Sequence, residues 1–560
     1  MAPRRSSRAP STKPPSKPAS KAAVENAAPK SKVNGTSTKR AASPERQDAP
    51  PAKRSRSAAP KSENEPPAAK PPSRKPRSKT AATKAAAEPA PKKARKLSPV
   101  REKEEAPVNV QLKPYFNPLP TPPEKKRPGL LPFAWGTGNF GQFGMGPDVL
   151  DELPKPKRNM WAEAEMEKNT FGEDKGGMES VASGGLHTIF IDENGKVWTC
   201  GVNDDAALGR ITQNVPDPNN PGSFLSVDDL TAIPHPLQSL IDENFRAVKA
   251  VAGDSICAAI SDKGELRVWG SFRANEGSLG FSTGLLHQYT PVPVLELSHK
   301  PGDIEKVASI AAGSNHLLVL TTHGHIYSWG AGEQAQLGRK VLERRKMHGT
   351  VPEKVTLGSR SRKAVAIGAG AFHSFAVDDK GDVWAWGLNS MGQTGTGYTS
   401  SEDSVVQLPQ KVKNLSKEEL GEDVVVSIQG GTHHTLFLLK SGKVYAVGRS
   451  NSGQLGLPDD HPAFKDRVDD DFVSEPVLVP FPDPDDPVVQ VSCGPHNNAA
   501  VTKSGALYTW GQGVQGELGL GDVEEAKTPQ VVVRKDGGAW FAAAVSCGGQ
   551  HTIGLFRKKN

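Results

Sequence analysis

The chain has 560 residues, of which 36% are hydrophobic and 24% charged, with a formal net charge of +8. No apolar run approaches the roughly 20 residues needed to span a bilayer, and the basic start MAPRRSSRAP leads into no apolar segment, so the reading is of neither a membrane-spanning nor a secreted protein. The charge hides two halves: residues 1–128 carry 31 Lys/Arg against 10 Asp/Glu, and residues 129–560 carry 39 against 52. A polycation is joined to an acidic body, and the two seek different partners.

Residues 1–106 are dominated by Ala, Pro, Ser and Lys, and the only aromatics before residue 129 are Tyr115 and Phe116. So little apolar surface cannot offset the entropy of ordering, and a disordered basic tail is expected. Its clusters Lys39-Arg40 with Lys53-Arg54-Ser55-Arg56, and Lys92-Lys93-Ala94-Arg95-Lys96, fit nuclear import signals, the first with bipartite spacing. The same charges, Arg4 and Arg5 included, suit salt-sensitive contact with a DNA backbone, while the absence of interleaved aromatics leaves no platform for base stacking. Import alone and import plus phosphate contact both remain open. Ser43-Pro44 and Ser98-Pro99 are possible phosphorylation sites, and a phosphate beside Lys96 would weaken either role. Residues 107–129, with seven prolines, read as a stiff linker.

From residue 130 to 560 one pattern recurs. It closes at Trp135-Gly136, Cys200-Gly201, Trp269-Gly270, Trp329-Gly330, Trp386-Gly387, Val447-Gly448 and Trp510-Gly511, a mean period of about 62 residues, longer than WD or kelch units. Seventeen residues before all but the first of these glycines stands another Gly, from Gly184 to Gly494, usually followed three residues later by His, as in His187, His316, His373 and His434. Between them lie x-Gly turns such as Lys263-Gly264 and Lys380-Gly381, flanked by apolar runs that read as strands. Gly136 ends a module without a beginning, and Gly548 with His551 begins one without an end. Pairing of residues 551–556 with 130–135 would complete a seventh unit from both termini. The expected fold is therefore all-β: a seven-bladed propeller closed by N- and C-terminal strands.

The recurring histidines are read as repeat architecture and not as a metal ring, because Ile256 and Asn497 interrupt the series. Cys200, Cys257, Cys493 and Cys547 show no metal or redox spacing and are expected as reduced thiols, mostly buried, in a cytosolic or nuclear protein. One unit breaks the rule. The closing Gly is followed eight residues later by another Gly in the other units, as Gly330 by Gly338, but Gly270 is followed by Gly280 ten residues on. The extra residues fall in a turn over residues 271–277, read as protruding and functional.

The GxxHT, x-Gly, WG and Asn451-Ser-Gly-Gln-Leu-Gly456 signatures resemble the repeats of the regulator of chromosome condensation family across residues 130–560. Three segments resemble the family's chromatin-bound exchange factors for the small GTPase Ran: Ala252-Gly-Asp-Ser255 with Trp269-Gly-Ser-Phe-Arg273, Cys200-Gly-Val-Asn-Asp-Asp205 with Leu208-Gly-Arg210, and Gly430-Gly-Thr-His-His-Thr435. The resemblance implies a guanine-nucleotide exchange factor without cofactor, metal or covalent chemistry. It implies Asp254 as the polar contact to the GTPase and Ser271, Phe272, Arg273, Asn275 and Glu276 as a wedge, with Asn315, His434 and Asn139 as further rim contacts. Asn139 and Asn315 depart from the pattern, which has Asp at both. The basic run Arg339, Arg344, Arg345 and Lys346 aligns with a loop that implies contact with the acidic patch of the nucleosome. Ala2-Pro3-Arg4 fits a signal for N-terminal methylation once Met1 is removed. The implied partners are Ran, the nucleosome with its DNA backbone, and nuclear import receptors, with no membrane. The competing reading is a chromatin-binding propeller scaffold without exchange activity.

Overall fold

A computed structural model describes residues 113–465 and 467–559. The basic clusters read as import signals, together with Arg4, Arg5, Ala2, Ser43 and Ser98, lie outside them. Seven four-stranded antiparallel blades follow one another along the chain, the fourth and fifth bridged edge to edge at Ala369 and Gln429. Numbered by their inner strands, blades 1 to 6 begin at Met178–Ser183, Ala247–Ala252, Val307–Ala312, Ala364–Ala369, Val425–Gly430 and Val488–Cys493. Blade 7 takes Trp540–Cys547 and His551–Lys558 from the C-terminal end and Leu131–Gly136 and Leu153–Arg158 from the N-terminal end. Its closing pair runs from Leu131 opposite Phe556 to Gly136 opposite His551. The expected closure is borne out with a shift of one residue on the N-terminal strand.

In blades 1 to 6 the second strand, such as His316–Thr321 or His373–Asp378, is buried at every residue. These strands read as continuous apolar runs because neighbouring blades cover both faces. The first residue of the strand explains the histidine series. His316 Nε2 lies 2.8 Å from Ser374 Oγ of the next blade, His373 Nε2 2.8 Å from Thr435 Oγ1, His434 Nε2 2.8 Å from Asn498 Oδ1, and His551 Nε2 2.9 Å from Thr188 Oγ1 across the closure. His187 meets Cys257 Sγ at 3.0 Å. The recurring Thr of the HT pair is thus the receiver for the preceding blade's His. Its hydroxyl passes the bond on, as Ser374 to Gln336 O, Thr435 to Gln393 O and Thr188 to Gln142 O. The indole N–H groups of Trp386 and Trp510 end on the same kind of carbonyl, Gln336 O and Gln454 O. Each such link ties three repeat signatures into one inter-blade latch.

The spacing of Gly and His is steric. A methyl group on Gly370 would lie 2.2 Å from the His373 ring, and the same clash recurs at Gly184, Gly313 and Gly431. Gly270 has φ +98°, and a Cβ there would fall 1.9 Å from Ser255 O. Only glycine satisfies both demands there. The four cysteines are free thiols, three buried and Cys493 partly exposed.

Residues 113–128, expected as part of a linker, are instead strapped across the face that carries the x-Gly turns. Phe116 and Asn117 donate their N–H groups to Thr322 O at 2.9 and 3.1 Å. The buried Asn117 side chain donates to Thr321 O and Ala364 O, both at 3.0 Å. Lys363 caps the Phe116 ring, and Arg127 pairs with Glu193 at 3.0 Å. Composition hid this because an extended proline-rich segment makes few hydrogen bonds of its own, which leaves the non-proline N–H groups of Phe116 and Asn117 for a partner's carbonyls.

Candidate functional site

The strands of a blade run antiparallel, so the loops after the inner strands and after the WG glycines share the face opposite the strap. Asp254 sits there, in the loop between Ala247–Ala252 and Ile256–Ser261, at the mouth of the central channel. Its N–H donates to Ser314 O of blade 3 at 2.7 Å, which fixes the loop across the blade boundary. The side chain reaches solvent, yet the channel walls withdraw enough water to push its carboxyl above the usual aspartate range. Arg273 and the Asn315 amide oppose that rise, and Asp205 adds to it. Asn315 also accepts from the Arg273 N–H at 2.9 Å. A carboxylate could accept from Arg273 but could not donate to Asp254, so asparagine is the residue that serves both.

The residues from 271 onward form a hairpin. Arg273–Ala274 pairs with Gly277–Ser278, with Asn275 and Glu276 at the tip. Arg273, Asn275 and Glu276 are exposed. Ser271 and Phe272 are not, and they hold the base of the hairpin in place of presenting a contact. Ser271 Oγ donates to Leu286 O at 2.7 Å, and Phe272 packs on Phe281 at 5.4 Å while its carbonyl accepts from Leu279 and Gly280. Both are fully buried and cannot touch a partner from this position.

His434 also needs correction. It is 1% exposed, its ring is spent on the latch to Asn498, and burial holds its pKa at about 4. The rim position belongs to the neighbouring residue, His433, which is partly exposed. Side chains alternate at the start of a strand, so an error of one residue exchanges rim for core. Asn139 is exposed on the same face, in the blade 7 loop, apart from the hairpin.

The basic run divides similarly. Arg339 is a strut: its Nη2 donates to Gly349 O and Val351 O at 3.1 and 2.9 Å, it pairs with Glu353 at 3.3 Å, and its side chain is only 12% exposed. Glu343–Thr350 holds two 3-10 turns that meet at a kink at Arg345, and Arg344 and Arg345 are exposed. Lys346 is paired with Glu276 at the hairpin tip, which lowers the Glu276 carboxyl and raises the ammonium.

Two carboxylates join the site that the sequence reading did not include. Asp205 of blade 1 accepts from Ser255 Oγ at 3.2 Å and pairs with Arg273 at 3.4 Å. Glu333 of blade 3 accepts the Asn275 N–H at 2.8 Å. Asp205 lay within a recognised segment, whereas nothing in the local sequence around Glu333 marked it. The assembled site is an acidic channel mouth with a stiff, charged projection beside it, suited to gripping a basic surface and intruding into it.

A model of the RCC1-like domain matches residues 132–554, the whole ring from its first strand to its last. The chain belongs to the RCC1-like domain family. Protein pim1 of Schizosaccharomyces pombe is 35% identical over 78% of this chain and 76% of its own length. The guanine nucleotide exchange factor SRM1 of Saccharomyces cerevisiae is 31% identical over 75% of this chain and 86% of its own. Among solved structures, Saccharomyces cerevisiae Prp20p, described with its binding to Gsp1p and histones, superposes with a TM-score of 0.65 at 29% identity, covering 80% of this chain and 93% of that one. The same yeast protein bound to Kap60 gives 0.66 at 28% identity, covering 83% and 97%.

Proposed function

We propose that this RCC1-like chain is a guanine-nucleotide exchange factor for the small GTPase Ran, acting in the nucleus while held on chromatin and so supporting nucleocytoplasmic transport and mitosis. The observation that carries the reading is the hairpin of residues 273–278 standing beside Asp254 in the one unit whose loop departs from the repeat. An exchange factor works by binding the nucleotide-free GTPase more tightly than the loaded form. The wedge would displace the loop that holds phosphate and magnesium, and Asp254 would pair with a basic group uncovered by that displacement. Every step is a change of contacts, with no covalent intermediate. The name of the relative SRM1 supports the same activity, and the histone binding described for Prp20p and its complex with Kap60 support chromatin and import receptors as partners. Arg344, Arg345 and the basic tail are the groups suited to carboxylates of a histone surface and to DNA phosphates.

The test is release of a fluorescent guanine nucleotide from Ran by catalytic amounts of the full chain. Acceleration is expected, and Asp254→Ala should lower kcat/KM by about 30-fold or more, the scale for truncating one partner of a desolvated charge pair. A folded chain without acceleration would leave the scaffold reading standing. Arg344→Ala with Arg345→Ala should then weaken nucleosome binding without changing exchange on free Ran.

A further inference from the structure

We infer that Glu333 is a positioning residue for the exchange wedge, acting through the backbone N–H of Asn275 at its tip. The inference rests on the exchange reading and adds how the wedge is held. A hairpin with two residues in each strand cannot hold its own geometry in water. Its internal pairs, Arg273 with Ser278 and Ala274 with Gly277, use one edge only. On the other edge alternate N–H groups point outward, two residues apart.

Those two donors, the N–H groups of Arg273 and Asn275, end on Asn315 Oδ1 at 2.9 Å and Glu333 Oε2 at 2.8 Å. The acceptors come from separate loops of blade 3, and together they stand where a third strand would. Lys346, also from blade 3, pairs with Glu276, so both residues of the tip are held from the same side. The loop bearing Glu333 is itself anchored. The Gln334 N–H donates to Gln336 Oε1 at 2.8 Å, and Gly338 packs on the indole of Trp386. A wedge built in this way leans on the neighbouring blade and resists being pushed back.

The experiment compares wild type, Glu333→Ala and Glu333→Gln in the full chain, reading amide hydrogen exchange over residues 273–278 alongside kcat and KM for nucleotide release from Ran. Glu333→Ala is expected to speed amide exchange at Asn275 and lower kcat about tenfold while KM moves less than about twofold, since misplacement of a reacting element acts on turnover. Glu333→Gln should restore both, because its amide oxygen still accepts the N–H. Unchanged kcat in Glu333→Ala overturns the role with the exchange reading intact. So does a Glu333→Gln variant as impaired as Glu333→Ala, which would mark a direct charge contact with the GTPase. A wild-type chain that does not accelerate release overturns the exchange reading and this role with it, even where Asn275 is protected.

Discussion

The boundary between blades 3 and 4 and the boundary between blades 2 and 3 use different chemistry. At the first, His316 reaches Ser374, Ser374 reaches the Gln336 carbonyl, and the Trp386 indole meets that same oxygen. At the second, the position of the His is Ile256 and that of the Ser or Thr is Leu317, and they pack in one cluster with Phe272, Leu279, Phe281 and Trp329. Both members of the polar pair have been exchanged for apolar ones, which avoids the cost of leaving either unsatisfied in a buried interface. The reason lies in the loop. A latch needs the carbonyl of a regular GQLG-type loop, and in blade 2 that loop has become the hairpin. Phe272, Leu279 and Phe281 let the base of the loop seal the boundary by apolar packing, without a carbonyl latch, and leave residues 273–278 to project.

Acid should separate the two boundaries most. His316, His373 and His551 have pKa values lowered to about 3, and His187 and His434 to about 4, all by burial. A base with a depressed folded pKa stabilises the fold above its unfolded value, and that stability is lost as pH falls from about 6.5 toward the folded pKa, at about 1.4 kcal/mol per pH unit for each His. The denaturant midpoint should fall steeply below pH 6.5, and a midpoint flat between pH 7 and 5 would contradict neutral latches. Next in size, Phe272→Ala should cost about 3–5 kcal/mol in urea unfolding and also slow nucleotide release, since the same ring fills the apolar boundary and anchors the hairpin. His373→Ala should cost about 1–3 kcal/mol and leave exchange unchanged at temperatures where the chain is folded. Smallest is the transplant: His316→Ile with Ser374→Leu should show a favourable coupling of about 1 kcal/mol in a double-mutant cycle, the pair costing less than the two single changes combined. Additive costs would show that the apolar boundary depends on Phe272 and its neighbours as much as on this pair.

The repeat period, the strand runs and the closure were legible because each rests on local chemistry: apolar runs, x-Gly turns, and a glycine pressed against a histidine ring three residues later. The hairpin was legible as a break in that regularity, and Asp254 through the resemblance of its segment to the family's exchange factors. His434 was misplaced because the alternation of side chains at a strand start cannot be set to the nearest residue from sequence. Arg339 was misread because a guanidinium that braces backbone carbonyls and one that faces solvent have the same letter and the same neighbours.

By itself, then, the sequence determined the blades, their number and the unit that differs, since those follow from short-range pattern repeated often enough to be unmistakable. Only the tertiary structure decided which residues serve the site. Asp205, Asn315, Glu333 and Lys346 come from blades 1 and 3 to surround a hairpin of blade 2. Contacts between residues 42 to 70 positions apart are set by how one blade docks on the next, and no local signal records that.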